Sequence, residues 1–281
     1  MRWLVVGAGG MLGQDLTAML EERGETVRAV DRDTVDITDA AASAGIAEGV
    51  DVVVNCAAYT AVDRAEEDEA AAFAVNAVGA ANVARAARLA GARIVQISTD
   101  YVFAGSASSP YPEDGAPAPA SAYGRTKVAG EWAVRAECPD HLVVRTAWLY
   151  GAHGPCFPKT IVRVARERGT LDVVADQVGQ PTWTVDLADL VHRLVVAQAP
   201  SGTYHGTSSG QTSWHGFATA AVEAAGMDGA IVRPTSSDGY VRAAARPSYS
   251  VLGHDALAAA GVAAIGPWAA RWAAAAATVL A

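Results

Sequence analysis

A glycine turn set directly behind an apolar run at the start of the chain constrains its fold more than anything else in it. Trp3-Leu4-Val5-Val6 reads as a strand, and Gly7-Ala8-Gly9-Gly10-Met11-Leu12-Gly13 carries it straight into a helix. Residues without a Cβ permit the tight turn and let backbone amides approach an anion. The uncapped amides and dipole of the following helix then favour a phosphate. The spacing is Gly7-x-x-Gly10-x-x-Gly13, with Leu12 where the common dinucleotide fingerprint has its last glycine. A glycine turn also fits an ordinary strand-to-helix connection. Its place as the first βα turn argues for a dinucleotide cradle.

The next stretches repeat the alternation. Short β-branched runs at Thr26–Val30, Val50–Val54, Arg93–Ser98 and Leu142–Arg145 predict strands, separated by helical patterns at Gly13–Glu22, Ala70–Ala90 and Ser121–Ala136. Continuous apolar strands between helices predict an α/β fold, a doubly wound parallel (Rossmann) sheet with ligands at its carboxyl edge. A Gly/Pro-rich change of character after Tyr150-Gly151 suggests a boundary. The helix 184–198 and strand 203–207 are expected to return to the sheet. This division assigns 1–150 plus roughly 183–209 to cofactor binding. A smaller α/β substrate lobe takes roughly 151–182 and 210–281. The Ser/Pro/Ala-rich segment Gly105–Ala120 reads as a loop beside the site and a mobile cover.

Composition narrows the partners. The net charge of −9 argues against a nucleic-acid binder, which needs a basic face. Cys56, Cys138 and Cys156 show no CxxC spacing, so neither a disulfide framework nor a zinc site is expected, and a cytoplasmic location follows. No signal-like start and no apolar run approaching ~20 residues predicts a membrane anchor.

Tyr123-Gly124-Arg125-Thr126-Lys127 places a phenol and an ammonium on one helical face, where a nearby positive charge favours phenol ionisation. YxxxK alone is common. Here it follows the fourth strand, which ends in Ser98-Thr99-Asp100-Tyr101, so a hydroxyl and the phenol can meet at the sheet's carboxyl edge. Asp31 closes the second strand about 20 residues beyond the glycine turn, where an acid binds the ribose of NAD. Arg32 suits the 2′-phosphate of NADP. The sequence supports both cofactors, NADPH or NADH.

Together with Asn55–Asp63, Arg145–Gly151, Gln177–Thr182 and Arg246-Pro247, these segments resemble the dTDP-4-dehydrorhamnose reductase family of the extended short-chain dehydrogenases. The resemblance implies an NAD(P)H-dependent oxidoreductase acting on the 4-keto group of a dTDP-linked deoxysugar. In that reading Tyr123 protonates the carbonyl oxygen as hydride arrives, Lys127 holds the nicotinamide ribose and tunes the phenol, and Thr99 supplements Tyr123. Gly7, Gly10, Met11, Leu12, Gly13, Asp36, Ile37, Ala57, Ala58, Tyr59 and Ser98 line the cofactor. Asp100, Trp148 and Arg246 meet the substrate, Arg246 at the diphosphate; Trp148 also reads as core and Arg246 as surface. Some members dimerise around magnesium. Asp15 could supply a ligand, but Val185 stands where another acid is expected, so a metal-free monomer or weak homodimer is expected. The rival readings are a dihydrostreptose-type reductase, a nucleotide-sugar epimerase and a non-catalytic NADP-binding regulatory subunit.

Overall fold

The computed structural model describes residues 1–240 and 242–281. Six strands carry it: β1 (Arg2–Val6), β2 (Thr26–Val30), β3 (Val52–Asn55), β4 (Arg93–Thr99), β5 (His141–Thr146) and β6 (Gly202–His205). They form one sheet in the order β6-β5-β4-β3-β1-β2, parallel at every pairing. The order reverses beside β1, which opens a crevice where a dinucleotide can lie across the sheet.

Successive residues of a strand face opposite ways, so an apolar residue at every position buries both faces. Trp3 and Val5 of β1 meet Leu12, Leu16 and Leu20 of helix α1 (Met11–Glu22) on one side. Leu4 and Val6 meet Val83, Ala84 and Val134 on the other. Val134 belongs to helix α2 (Ala122–Glu137). Helix α3 (Thr184–Val196) packs Leu187, Leu190 and Leu194 into the first layer, and β6 pairs with β5.

Beyond β5, helices Phe157–Arg168, Trp214–Ala224 and Trp268–Leu280 gather around Tyr150, Phe217 and Trp272. A parallel pair, Leu171–Val174 with Val232–Thr235, flanks them. Leu257, Val262 and Ile265, from the segment 210–281, are buried in the sheet's own apolar layer with Tyr204. Among the described residues no helix is long and apolar enough to cross a membrane.

Two segments differ from expectation. The stretch Ala70–Ala90 is not one helix. It runs as Glu69–Phe73, a π-helical turn Ala74–Gly79, and Ala80–Ala90. An alanine-rich pattern does not reveal this, and two glycines give the turn the room it occupies. A Cβ on Gly79 would lie 2.7 Å from Ile37, and one on Gly130 would lie 2.1 Å from the Asn76 carbonyl. The loop 105–120 is a fastened strap rather than a free cover. The Tyr111 amide donates to Val251 at 2.9 Å, its ring stacks on Phe103 at 4.3 Å, and its hydroxyl accepts from the Ser106 and Ala107 amides.

Candidate active site

The glycine turn is built by steric need. Gly7 has φ 80°, and a Cβ there would lie 2.6 Å from the Ala57 amide nitrogen; one on Gly13 would lie 2.3 Å from the Gly7 carbonyl. The turn is thereby pressed against the Ala57–Tyr59 segment that leaves β3. Gly10 begins α1 with no side-chain cap on its first-turn amides, so those donors are open to a phosphate. These residues fit a dinucleotide.

Around the cradle the expected residues divide. Asp31 accepts the Gly9 amide at 3.0 Å, which places its carboxylate at the turn. Arg32 and Asp36 are exposed beside it. Asp36 accepts from the Thr38 amide and hydroxyl, which hold its carboxyl below the usual range. Met11 lies against Gly151, its sulfur 3.2 Å from where a Cβ would stand. Leu12 and Ile37 turn their side chains into the two apolar layers of the sheet, each 6% exposed, so that only their backbone faces the cradle side. Asn76, absent from the sequence reading, holds the remaining wall. Its side chain accepts the Tyr59 amide at 2.8 Å and donates to the Tyr59 carbonyl and to Thr126 Oγ1. One amide in the π turn thus ties the Ala57–Tyr59 segment to the helix carrying Tyr123, and π turns commonly serve such ends.

Helix α2 starts where the end of β4 needs it. Ser121 caps it by accepting the Gly124 amide at 3.1 Å. A Cβ on Gly124 would lie 2.3 Å from the Tyr101 carbonyl, so only glycine lets the helix press onto the turn after Thr99. Tyr123 then stands edge-on to Tyr101, ring centroids 5.7 Å apart. Burial pushes its phenol up, and the neighbouring Thr99 hydroxyl opposes that shift. A raised phenol holds its proton at neutral pH, as an acid requires. Lys127 is buried and donates to the Ile97 carbonyl at 2.7 Å. Burial brings its ammonium down to about 8, with Glu131 working against that.

Ser98 likewise turns its side chain inward. Its hydroxyl is buried and donates to Glu131 Oε1 at 2.7 Å. That carboxylate is also gripped by Arg145, through Nε at 2.9 Å and Nη2 at 2.8 Å. Ser98 therefore belongs to the buried pair that locks β4 and β5. Asp100 is buried too, with Thr99 Oγ1 donating to its Oδ1 at 2.9 Å, so its carboxylate faces the interior rather than an open substrate surface.

A cavity of about 600 Å³ opens beside this edge. Phe157, Ile161, Val173 and Trp214 give it an apolar wall, and Tyr101, Gln177, Arg242 and Arg246 line its polar side. Arg246 is not a bare surface arginine: Nη2 donates to Asp63 Oδ2 at 2.7 Å and Nη1 to the Ala244 carbonyl. Arg242 was missed; the only sequence signal was its place four residues before Arg246. Trp148 sits at φ 48°, a strained conformation for a bulky residue. Its ring stacks on Trp214 at 3.5 Å and lies over Gly179, so one face is already covered. Asp15, the candidate metal ligand, receives a hydrogen bond from Thr184 and pairs with His153 at 3.3 Å.

Residues 1–280 match the family described as the RmlD substrate binding domain. The chain belongs to that family. It is 49% identical over 274 residues to a dTDP-4-dehydrorhamnose reductase of Streptomyces griseus, covering 95% of this chain and 90% of that one. A dTDP-4-keto-6-deoxy-D-glucose reductase of Streptomyces niveus is 47% identical, covering 95% and 93%. Among solved structures, a dTDP-4-dehydrorhamnose reductase of Clostridium acetobutylicum superposes with TM-score 0.94 at 40% identity, over 98% of both chains. The Bacillus anthracis reductase in complex with NADP superposes with TM-score 0.93 at 38% identity, again over 98% of both.

Proposed function

We propose that the chain is an NADPH-dependent reductase of the 4-keto group of a dTDP-linked deoxysugar, converting dTDP-4-dehydrorhamnose to dTDP-L-rhamnose. The observation that carries this reading is one juxtaposition: the helix start that carries Tyr123 is pressed onto the turn that follows Thr99, at the carboxyl edge of the sheet. The glycine cradle lies on the same edge, and the arginine-lined cavity opens beside it. When bound, the nicotinamide cofactor supplies the hydride. The protein's own groups manage the proton and the charge. Tyr123 donates its proton to the carbonyl oxygen, Thr99 hydrogen-bonds that oxygen, and the Lys127 ammonium steadies the resulting phenolate. The sheet with α1–α3 serves the cofactor, and the helices around Phe217 and Trp272 serve the nucleotide sugar. Phe157 and Trp214 offer the base an apolar wall, with Arg242 and Arg246 beside it for the diphosphate. Mixing protein, NADPH and a panel of dTDP-4-keto sugars, followed by loss of NADPH absorbance and NMR of the product, tests the reading. No oxidation with any 4-keto sugar would sink it, and the NMR separates reduction from epimerisation.

Two variants probe the assignments. Arg242→Ala is expected to weaken dTDP binding, measured calorimetrically, by about tenfold or more while NADPH binding is unchanged, since a charge-assisted hydrogen bond contributes roughly 1.5–3 kcal/mol. Unaltered dTDP affinity would remove Arg242 from the diphosphate site. For Lys127 the sign follows from its depressed value. The ammonium is present below about pH 8 and is lost as pH rises through it. NADPH affinity of the free protein is expected to fall above that pH. Lys127→Ala is expected to bind weakly throughout, without that inflection in a fluorescence titration. An inflection that survives in the variant would belong to another group.

A further inference from the structure

The reaction assigned above asks the Thr99 hydroxyl to donate a hydrogen bond to the carbonyl oxygen, yet in this structure its single proton is directed elsewhere. Thr99 Oγ1 donates to Asp100 Oδ1 at 2.9 Å. A hydroxyl has one proton and two lone pairs, so it cannot donate to both. Asp100 is 3% exposed, and its other oxygen, Oδ2, is buried without a hydrogen-bond partner. With one oxygen unbonded and the group out of water, the charged form is held less firmly than in a carboxylate bonded at both oxygens.

We propose that Asp100 is the positioning residue for the catalytic hydroxyl: ionised, it captures the Thr99 proton, and protonated, it donates to Thr99 Oγ1 and turns that proton toward the substrate carbonyl. This rests on the reductase reading above. No covalent bond to carbon is involved. One proton enters Asp100 from solvent, and the Thr99 hydroxyl reorients.

The surroundings support the neutral form within reach of ordinary pH. Burial raises the Asp100 carboxyl to about 6. Ser250, from the chain segment lying across the strand end, favours the ionised form, as does Thr99 itself. The titratable groups nearby are Tyr101 on the same turn and Tyr123 on helix α2. Both phenols are raised and neutral over this range, and each is pushed further up by the Asp100 charge. Arg246 and Asp63 act on Tyr101 and, with opposite signs, offset one another there. Lys127, one helical turn beyond Tyr123, begins to lose its charge only toward about pH 8, so the charge that changes about pH 6 at this edge is that of Asp100.

The sign is fixed by the direction of the hydrogen bond. Turnover is expected to be highest below about pH 6 and to fall as pH rises and Asp100 ionises, by about tenfold in kcat at pH 7, because losing one donor to the developing alkoxide costs ~10²–10³-fold when complete. Asp100→Asn cannot ionise, so its kcat is expected to lack that limb below about pH 7, with KM little changed, while the Lys127 inflection near pH 8 remains. Ser250→Ala removes a neighbouring hydroxyl that favours the carboxylate, so its limb is expected to move to higher pH. Infrared difference spectra of the cofactor-free protein supply a readout independent of turnover: a protonated-carboxyl band that grows in below about pH 6 and is missing in Asp100→Asn. That band with no turnover of any 4-keto sugar leaves the hydrogen-bond switch standing and sinks the reductase reading. That same limb persisting in Asp100→Asn, or a wild-type spectrum without the band, overturns the role of Asp100.

Discussion

Tyr123→Phe is expected to lose about 10²–10⁴-fold in kcat, the usual contribution of a placed general acid, while its NADPH dissociation constant stays within twofold or so of wild type. The phenylalanine keeps the ring, so the edge-on contact with Tyr101 and the cap of helix α2 survive. Only the oxygen goes, and with it the proton donor beside Thr99. The split between rate and binding is diagnostic, because Lys127 and the glycine cradle do not depend on the phenol. Lys127 donates to the Ile97 carbonyl, and the cradle is made by Gly7, Gly10 and Gly13 against Ala57. Single-turnover rates with saturating NADPH, together with the fluorescence of bound NADPH, separate the two quantities. A variant that turns over like wild type would show that the proton comes from another group, and the assignment of the site would fall with it.

Arg145→Met is expected to destabilise the fold by about 3–5 kcal/mol, the cost of leaving a buried charge without its partner. Glu131 is fully buried and Arg145 is 2% exposed. The guanidinium grips both carboxylate oxygens, and Ser98 donates to one of them. Arg135, at 3.1 Å from Oε2 and partly exposed, would remain, which places the loss toward the lower end of that range. Ser98 and Arg145 face one another across β4 and β5, so the pair holds the two strands whose ends carry Thr99 and Trp148. The check is the urea midpoint at unchanged slope. The double variant Glu131→Leu/Arg145→Met removes both charges and is expected to recover most of the loss, since apolar replacement of a whole buried pair is often nearly neutral. If the double variant is as unstable as the single one, the loss comes from packing and not from the stranded carboxylate.

How much of this was legible beforehand depends on the range of the interactions involved. Local signals sufficed for the sheet. The run Thr26–Val30 is rich in β-branched residues and forms β2 over those same residues, and the glycine turn after Val6 leads into α1 because short-range sterics favour it. Tyr123 and Lys127 were placed together by helical periodicity alone. For Leu12, Ile37 and Ser98, adjacency to a motif does not say which way a side chain points. The first two turned their apolar side chains into the sheet layers. The Ser98 hydroxyl turned to a buried carboxylate 33 residues away.

By itself, then, the order of strands, helices and glycines determined the doubly wound sheet, the cradle and the Tyr123–Lys127 pair, all products of neighbours in the chain. Contacts between distant residues decided the rest. The π turn that carries Asn76 has room in the packed molecule because Gly130 and Gly79 carry no side chain against its backbone and Ile37. Arg242 lies on the cavity wall with Phe157 and Trp214 because separate segments of the lobe converge there. The direction of the Thr99 proton was decided last of all, by burial of the carboxylate next to it. Burial is a property of the packed molecule, and no residue pattern along the chain encodes how far a given carboxyl is removed from water.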